Sequence, residues 1–287
     1  MRFNITVVDP PGYRFTHFLF PLCKLLSCGL ESLGHTCYVT RNYIDPARLT
    51  IIVGGHLLTS LKDVDLISGS GDYIVYQTEN IKHGVLDFFG RGNTYGNVYS
   101  PLLARARTVW EIVSPLHLTI IANLGGRAHL LLGGYHAAME EVIHKSEKDI
   151  DFLFIGSLTP HRRAMLESLT KRGHRVVSVF SEDSLFRNDV VARSRIHLSM
   201  KQSDQIDHFP WPRHAYLLNN RFLIVSERCI HQEWLQDCFL WAETDQWADL
   251  CEKTLARTDR EQLALEFYER FKKRPFTIQL EQALEAL

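Results

Sequence analysis

Two short stretches of this 287-residue chain carry residue types and spacings suited to holding an anion. In the first, the apolar run DFLFIG breaks at Gly156-Ser157-Leu158-Thr159, and His161, Arg162 and Arg163 open the amphipathic stretch that follows. Free N–H groups at a helix start receive phosphate, and a glycine lets the backbone approach a ligand closely. Cations in a first helical turn oppose the helix dipole, so an anionic ligand explains this trio better than helix stability does. In the second stretch, RHAYLLNNRFLIVSE, Arg213 opens a helix and Ser226-Glu227 ends a buried strand. Polar groups at the carboxyl end of a parallel strand lie on its ligand side. Neither stretch has GxGxxG or GK[ST], which disfavours a dinucleotide dehydrogenase or a nucleoside triphosphatase. The plainer readings are an ordinary strand-to-helix turn and a surface arginine paired with a carboxylate.

Metal chemistry finds no comparable support. The fourteen histidines are scattered without HExxH or His-x-His, and the six cysteines form no CxxC pair. They read as reduced thiols of a cytoplasmic protein. Asp204 and Asp207 in SDQIDHF lack the spacing of a DxD metal motif and read as solvated. A formal net charge of −1 argues against a broad nucleic-acid surface, although Arg41, Arg48, Arg105 and Arg107 could form a local basic groove. No apolar run approaches the roughly 20 residues of a membrane span, and the first residues lack a basic stretch leading into an apolar one.

The elements that must position these residues repeat. FNITVVDP, a polar loop, HFLFPLCKLLSCGLESLG and HTCYVTRN give strand, loop, helix, strand; DFLFIG, RRAMLESLTKRG and HRVVSVFS give the same order again. Each helix closes on a Gly-His step, Gly34-His35 and Gly173-His174, as a glycine C-cap would. Strands alternating with helices imply parallel sheets, and this length suits about two domains. The expectation is an α/β protein of two Rossmann-like domains, residues 1–148 and 149–287, facing each other across a cleft, with the C-terminal helices returning to the first. Along the way, RLTIIVGGH and DYIVYQTEN read as strands, HLTIIANL and HLLLGGY as strands or short buried pieces, and AAMEEVIHKSEKDI as the linker.

The second half resembles the donor half of GT-B glycosyltransferases. DFLFIGSLTPHRRAMLESLTKRGHRVVSVF, RSRIHLSM and RHAYLLNNRFLIVSE are similar in order to a bacterial group of the family 1-like, spore-maturation type. YIVYQTENI, YSPLLARARTVWEIVS and LLLGGY resemble that group's acceptor half, so the likeness spans about residues 1 to 245. One departure is that Tyr216 stands where the first glutamate of the E-x7-E element of many retaining enzymes would fall, which leans toward inversion.

The resemblance implies a glycosyltransferase that needs no metal or other cofactor and uses a nucleotide-diphosphate sugar as co-substrate. Gly156, Ser157 and Arg162 would line the diphosphate, Phe180 and Ser181 would meet the base or ribose, and Arg213 would balance phosphate charge, with Glu227 beside them. Cationic groups and helix N-termini can stabilise a departing diphosphate without a metal. His17, after the first strand, falls where many inverting members carry their base; Glu79 is the rival and His56 a third candidate. Tyr95, Tyr99 and Trp110 could stack on a sugar, though core packing is the commoner role. The acceptor could be a glycan, a protein, a small molecule or, with less support, DNA. The competing functions are a non-catalytic nucleotide-sugar-binding module or partner subunit, and a nucleotide-sugar epimerase recruiting His208, His214 and Glu227.

Overall fold

The structure, a computed structural model, describes residues 1–82, 85–86, 95–180, 182, 184–203 and 207–287. The chain divides into two compact units, Met1–Gly133 with Phe276–Leu287, and Gly134–Pro275.

The first unit runs β1 (Arg2–Val7), α1 (Phe20–Ser32), β2 (Thr36–Arg41), β3 (Leu49–Val53), α2 (Leu61–Gly69), β4 (Tyr73–Gln77), a small antiparallel pair β5 (Ile81–Lys82) and β6 (Val85–Leu86), α3 (Ser100–Arg105), β7 (Thr108–Glu111), α4 (Leu116–Asn123) and β8 (Ala128–Leu130). Its main sheet is parallel throughout, in the order β2-β1-β3-β4-β7-β8. The interior strands β3 and β4 are nearly continuous apolar runs and are buried, as strands covered on both faces must be. Strand order reverses between β1 and β3, which makes the gap between their carboxyl ends a ligand position.

HLTIIANL, expected as a strand or buried piece, lies in α4. Ser114 Oγ accepts the Leu116 N–H at 3.2 Å, and His117 and Ile121, four apart, share the buried face. Start chemistry and one-sided burial override the β preference of the Thr-Ile-Ile run. LKDVDLISG becomes α2, with Val64 and Ile67 on its buried face and the Ser60 hydroxyl capping it on the Lys62 N–H at 3.1 Å.

The second unit runs β9 (Ile150–Ile155), α5 (Pro160–Lys171), β10 (Val176–Val179), α6 (Ser184–Ala192), β11 (Ser194–Ser199), α7 (Trp211–Asn219), β12 (Ile224–Glu227), β13 (Leu240–Ala242), α8 (Thr244–Ala256) and α9 (Arg260–Lys272). Its parallel sheet is ordered β10-β9-β11-β12-β13, with the reversal between β9 and β11. The sequence places a boundary at 148/149, whereas residues 134–148 pack with this second unit. Asn219 and Asn220 explain the difference. Their side-chain oxygens accept the backbone N–H groups of His136, Glu141 and Val142 at 2.8–3.1 Å, and His144 stacks on Phe222 with ring centroids 4.5 Å apart. Apart from a 3₁₀ turn at Ala137–Met139, the helix formers of this segment stay extended because those amides take up its N–H groups.

The last helix, α10 (Phe276–Glu285), belongs to the first unit and packs on α1. A Cβ on Gly29 of α1 would lie 2.9 Å from both Leu280 and Phe276, so only glycine admits this close approach.

Candidate functional site

At the carboxyl edge of the second sheet, Gly156 follows β9 in a left-handed conformation, φ +147°. An added Cβ would meet an Nη of Arg213 at 2.7 Å. Arg213, from the first turn of α7, lays its guanidinium 4.9 Å from the Phe154 ring centroid and, among the described residues, makes a single hydrogen bond, 3.4 Å to Ser199 Oγ. It is half-buried and, among the described residues, has no carboxylate within ion-pair reach. Burial, with Arg162 adding to it, lowers its pKa to about 9. A guanidinium offers five N–H donors in a fixed fork, so Arg213 is a partly desolvated cation with most donors unspent. That is the electrostatic complement of a phosphate.

Arg162 is differently placed. It is buried, and its N–H groups donate to Lys201 O, Ser157 O and Met200 O at 3.0–3.1 Å and to Ser157 Oγ at 3.3 Å. The loops it joins follow β9 and β11, the two strands flanking the reversal of order. Arg162 therefore braces the ligand position, with much of its donor capacity already spent on carbonyls. Thr159 caps α5, its hydroxyl oxygen accepting the Arg162 N–H at 3.3 Å.

Glu227 ends β12 and is fully buried. It faces His161, Lys201 and Thr244, so its lone pairs are turned into the protein. Phe180, directly after β10, is exposed at the same edge of the sheet. Ser181 and Asp204 lie outside the described residues; the Asp207 carbonyl accepts the Ile230 N–H. His214 is buried against Phe209 and Phe239, with centroids 4.2 and 4.6 Å away, which removes it from solvent.

The first unit gathers its candidates at the carboxyl ends of β1, β3, β4 and β7. Thr16 donates to Asp9 Oδ1 at 2.6 Å and fixes the loop leading to His17. His17 Nδ1 lies 3.1 Å from the Arg14 carbonyl, so the proton resides there, and Nε2 is shielded without a partner among the described residues. Two of the rival bases come together: buried His56 Nε2 sits 3.4 Å from Oε1 of Glu79, whose side chain keeps 22% of its exposure. Beneath them lies a network centred on Gln77. Its Oε1 accepts from Tyr99 Oη and from the Glu79 N–H, both at 2.8 Å, and its Nε2 donates to the Glu79 carbonyl and to Glu111 Oε2. Glu111 in turn holds His117 Nδ1 at 3.2 Å. Tyr99 is thus engaged in the interior, and Trp110 is fully buried in β7; Tyr95 enters a π-helical turn, Tyr95–Tyr99.

Local sequence signals pointed to the glycine, the arginines and Glu227. Lys201, Ser199, Thr244 and the Gln77–Glu111–His117 network carry no such signal, because only their distant partners give them meaning. The four arginines of the possible basic groove each sit against an aspartate: Arg41–Asp9, Arg48–Asp45, Arg105–Asp65 and Arg107–Asp72.

At the sequence level no family model and no curated protein matches the chain. Solved structures do. T4 phage β-glucosyltransferase superposes with a TM-score of 0.61 at 10% identity, covering 100% of this chain and 99% of that one. AviGT4, a glycosyltransferase involved in avilamycin A biosynthesis, gives 0.58 at 12% identity, covering 98% and 96%. TarM gives 0.55 at 10%, covering 91% of this chain, which spans 57% of TarM. The T4 enzyme is a DNA-modifying one and takes UDP-glucose as substrate. With its two parallel sheets in Rossmann-like units, the chain has the GT-B fold of glycosyltransferases. Among the described residues no helix is long and apolar enough to cross a membrane.

Proposed function

We propose that the chain is a glycosyltransferase that moves a sugar from a nucleotide-diphosphate sugar to a hydroxyl-bearing acceptor, with inversion and without a metal. The observation that carries this reading is Arg213, a half-buried guanidinium without an acid partner among the described residues, set against Gly156 where strand order reverses. The diphosphate is received there, with the start of α5 supplying N–H groups and Arg162 bracing the loops. Phe180 meets the base or ribose.

In the first unit Glu79 takes the acceptor proton in place of His17. Its carboxylate reaches solvent, and its backbone is held from both sides by Gln77, whereas His17 Nε2 is shielded. His56 steadies the carboxylate. A carboxylate in hydrogen-bond reach of an attacking hydroxyl serves as general base, and the leaving diphosphate is balanced by fixed cationic groups. The acceptor is a glycan, protein or small molecule; the aspartate-paired arginines weigh against DNA.

Incubation with a panel of UDP-, GDP-, TDP- and CMP-sugars in EDTA tests the reading, with nucleotide release as the signal. Slow release from at least one donor in chelator is expected. Release that requires added magnesium or manganese would overturn the metal-free mechanism, and binding with no release at all would make the chain a nucleotide-sugar-binding module.

A further inference from the structure

Glu227 is a carboxyl group sealed into the unit and surrounded by donors. Oε2 accepts the Lys201 N–H at 3.1 Å, Oε1 accepts Thr244 Oγ1 at 2.6 Å, and Lys201 Nζ lies 3.4 Å from Oε1. His161 Nε2 stands 3.0 and 2.9 Å from the two oxygens. Facing a carboxylate, Nε2 carries the proton. The other ring nitrogen, Nδ1, has no protein partner among the described residues and is not buried. His161 lies in the first turn of α5, the helix entered from the Gly156-Ser157 loop.

We propose that His161 is a further catalytic residue, presenting Nδ1 to the phosphate oxygen that leaves with the nucleoside diphosphate, and that Glu227 is the residue positioning it through Nε2. The inference rests on the donor-site reading above. In the transfer, the bond between the anomeric carbon and the phosphate oxygen breaks and its electron pair stays on that oxygen. The acceptor oxygen forms the new bond to the anomeric carbon and gives up its proton to a general base. The imidazolium Nδ1–H hydrogen-bonds the phosphate oxygen as it gains charge, so no further reactant is required.

With Glu227 on Nε2 and a phosphate on Nδ1, the ring lies between two acceptors and donates to both.

The test is calorimetric titration of the whole protein with UDP-glucose near neutral pH. His161→Gln keeps a donor toward Glu227 but has nothing at Nδ1, and should bind roughly 10–100-fold more weakly with its melting temperature unchanged. A folded His161→Gln protein that binds UDP-glucose as wild type does overturns this inference and leaves the donor-site reading standing. Failure of wild type to bind UDP-glucose or any other nucleotide-diphosphate sugar overturns the donor-site reading itself.

Discussion

Arg213 and Gly156 depend on each other. The glycine supplies the conformation and the absence of a side chain, and the arginine fills the room left over. Arg213→Ala is expected to weaken binding of a nucleoside diphosphate by about 1–3 kcal/mol, the range for a charge-assisted bond; calorimetric affinities unchanged from wild type would return Arg213 to a structural role. Gly156→Ala should both lower stability by about 1–3 kcal/mol, through strain at φ +147°, and displace the guanidinium. Equal melting temperatures for the two proteins would contradict that account. At this scale the sequence was informative about identity and poor about task. Gly156, Arg162, Arg213 and Glu227 stand out because strand ends and helix starts are locally written. That Arg162 spends its N–H groups on the Met200 and Lys201 carbonyls, and that Glu227 turns inward to Lys201 and Thr244, depends on partners dozens of residues away.

At the scale of elements, β11 and α7 each bury a histidine in an apolar setting. Burial lowers the pKa of both His197 and His214 from the ordinary 6.5 to about 3. Above pH 6.5 neither the folded nor the unfolded chain protonates these rings, and their contribution to stability is fully present. As pH falls below 6.5 the unfolded chain binds protons that the folded one excludes, so stability drops until about pH 3. Each ring costs up to about 1.4 kcal/mol per pH unit across that window. Urea unfolding at pH 7, 6 and 5 should show a falling midpoint before ordinary carboxylates begin to titrate; a constant or rising midpoint would mean that these rings are not excluded from protonation. Most elements were legible because the apolar β-branched runs and amphipathic stretches are long. One exception had a local cause. The α4 segment looks like a strand or buried piece until the Ser114 hydroxyl takes the Leu116 N–H and burial becomes one-sided.

For the molecule as a whole, the return of α10 to the first unit is a packing event as much as a topological one. Phe276 is fully buried and lies against Gly29 of α1. Phe276→Ala is expected to cost about 3–5 kcal/mol, as removal of a buried aromatic ring does, with thermal unfolding of the first unit as the readout; a loss below about 1 kcal/mol would show that α10 is a loosely held appendage. The repeated strand-loop-helix-strand opening made the two-unit architecture readable. The unit limits at Gly134 and Pro275 were hidden, because they follow from Asn219 and Asn220 capturing an extended segment that reads as a linker. That the second unit receives the diphosphate of a nucleotide sugar at Arg213 is the proposal on which the rest depends. Its most direct test is the thermal shift of wild-type and Arg213→Ala protein across the nucleotide-sugar panel. A ligand at 100 times its dissociation constant should add about 2.7 kcal/mol to the wild type, and the account predicts such a shift for at least one donor, largely lost in the variant. A panel that stabilises neither protein, or both equally, would contradict it.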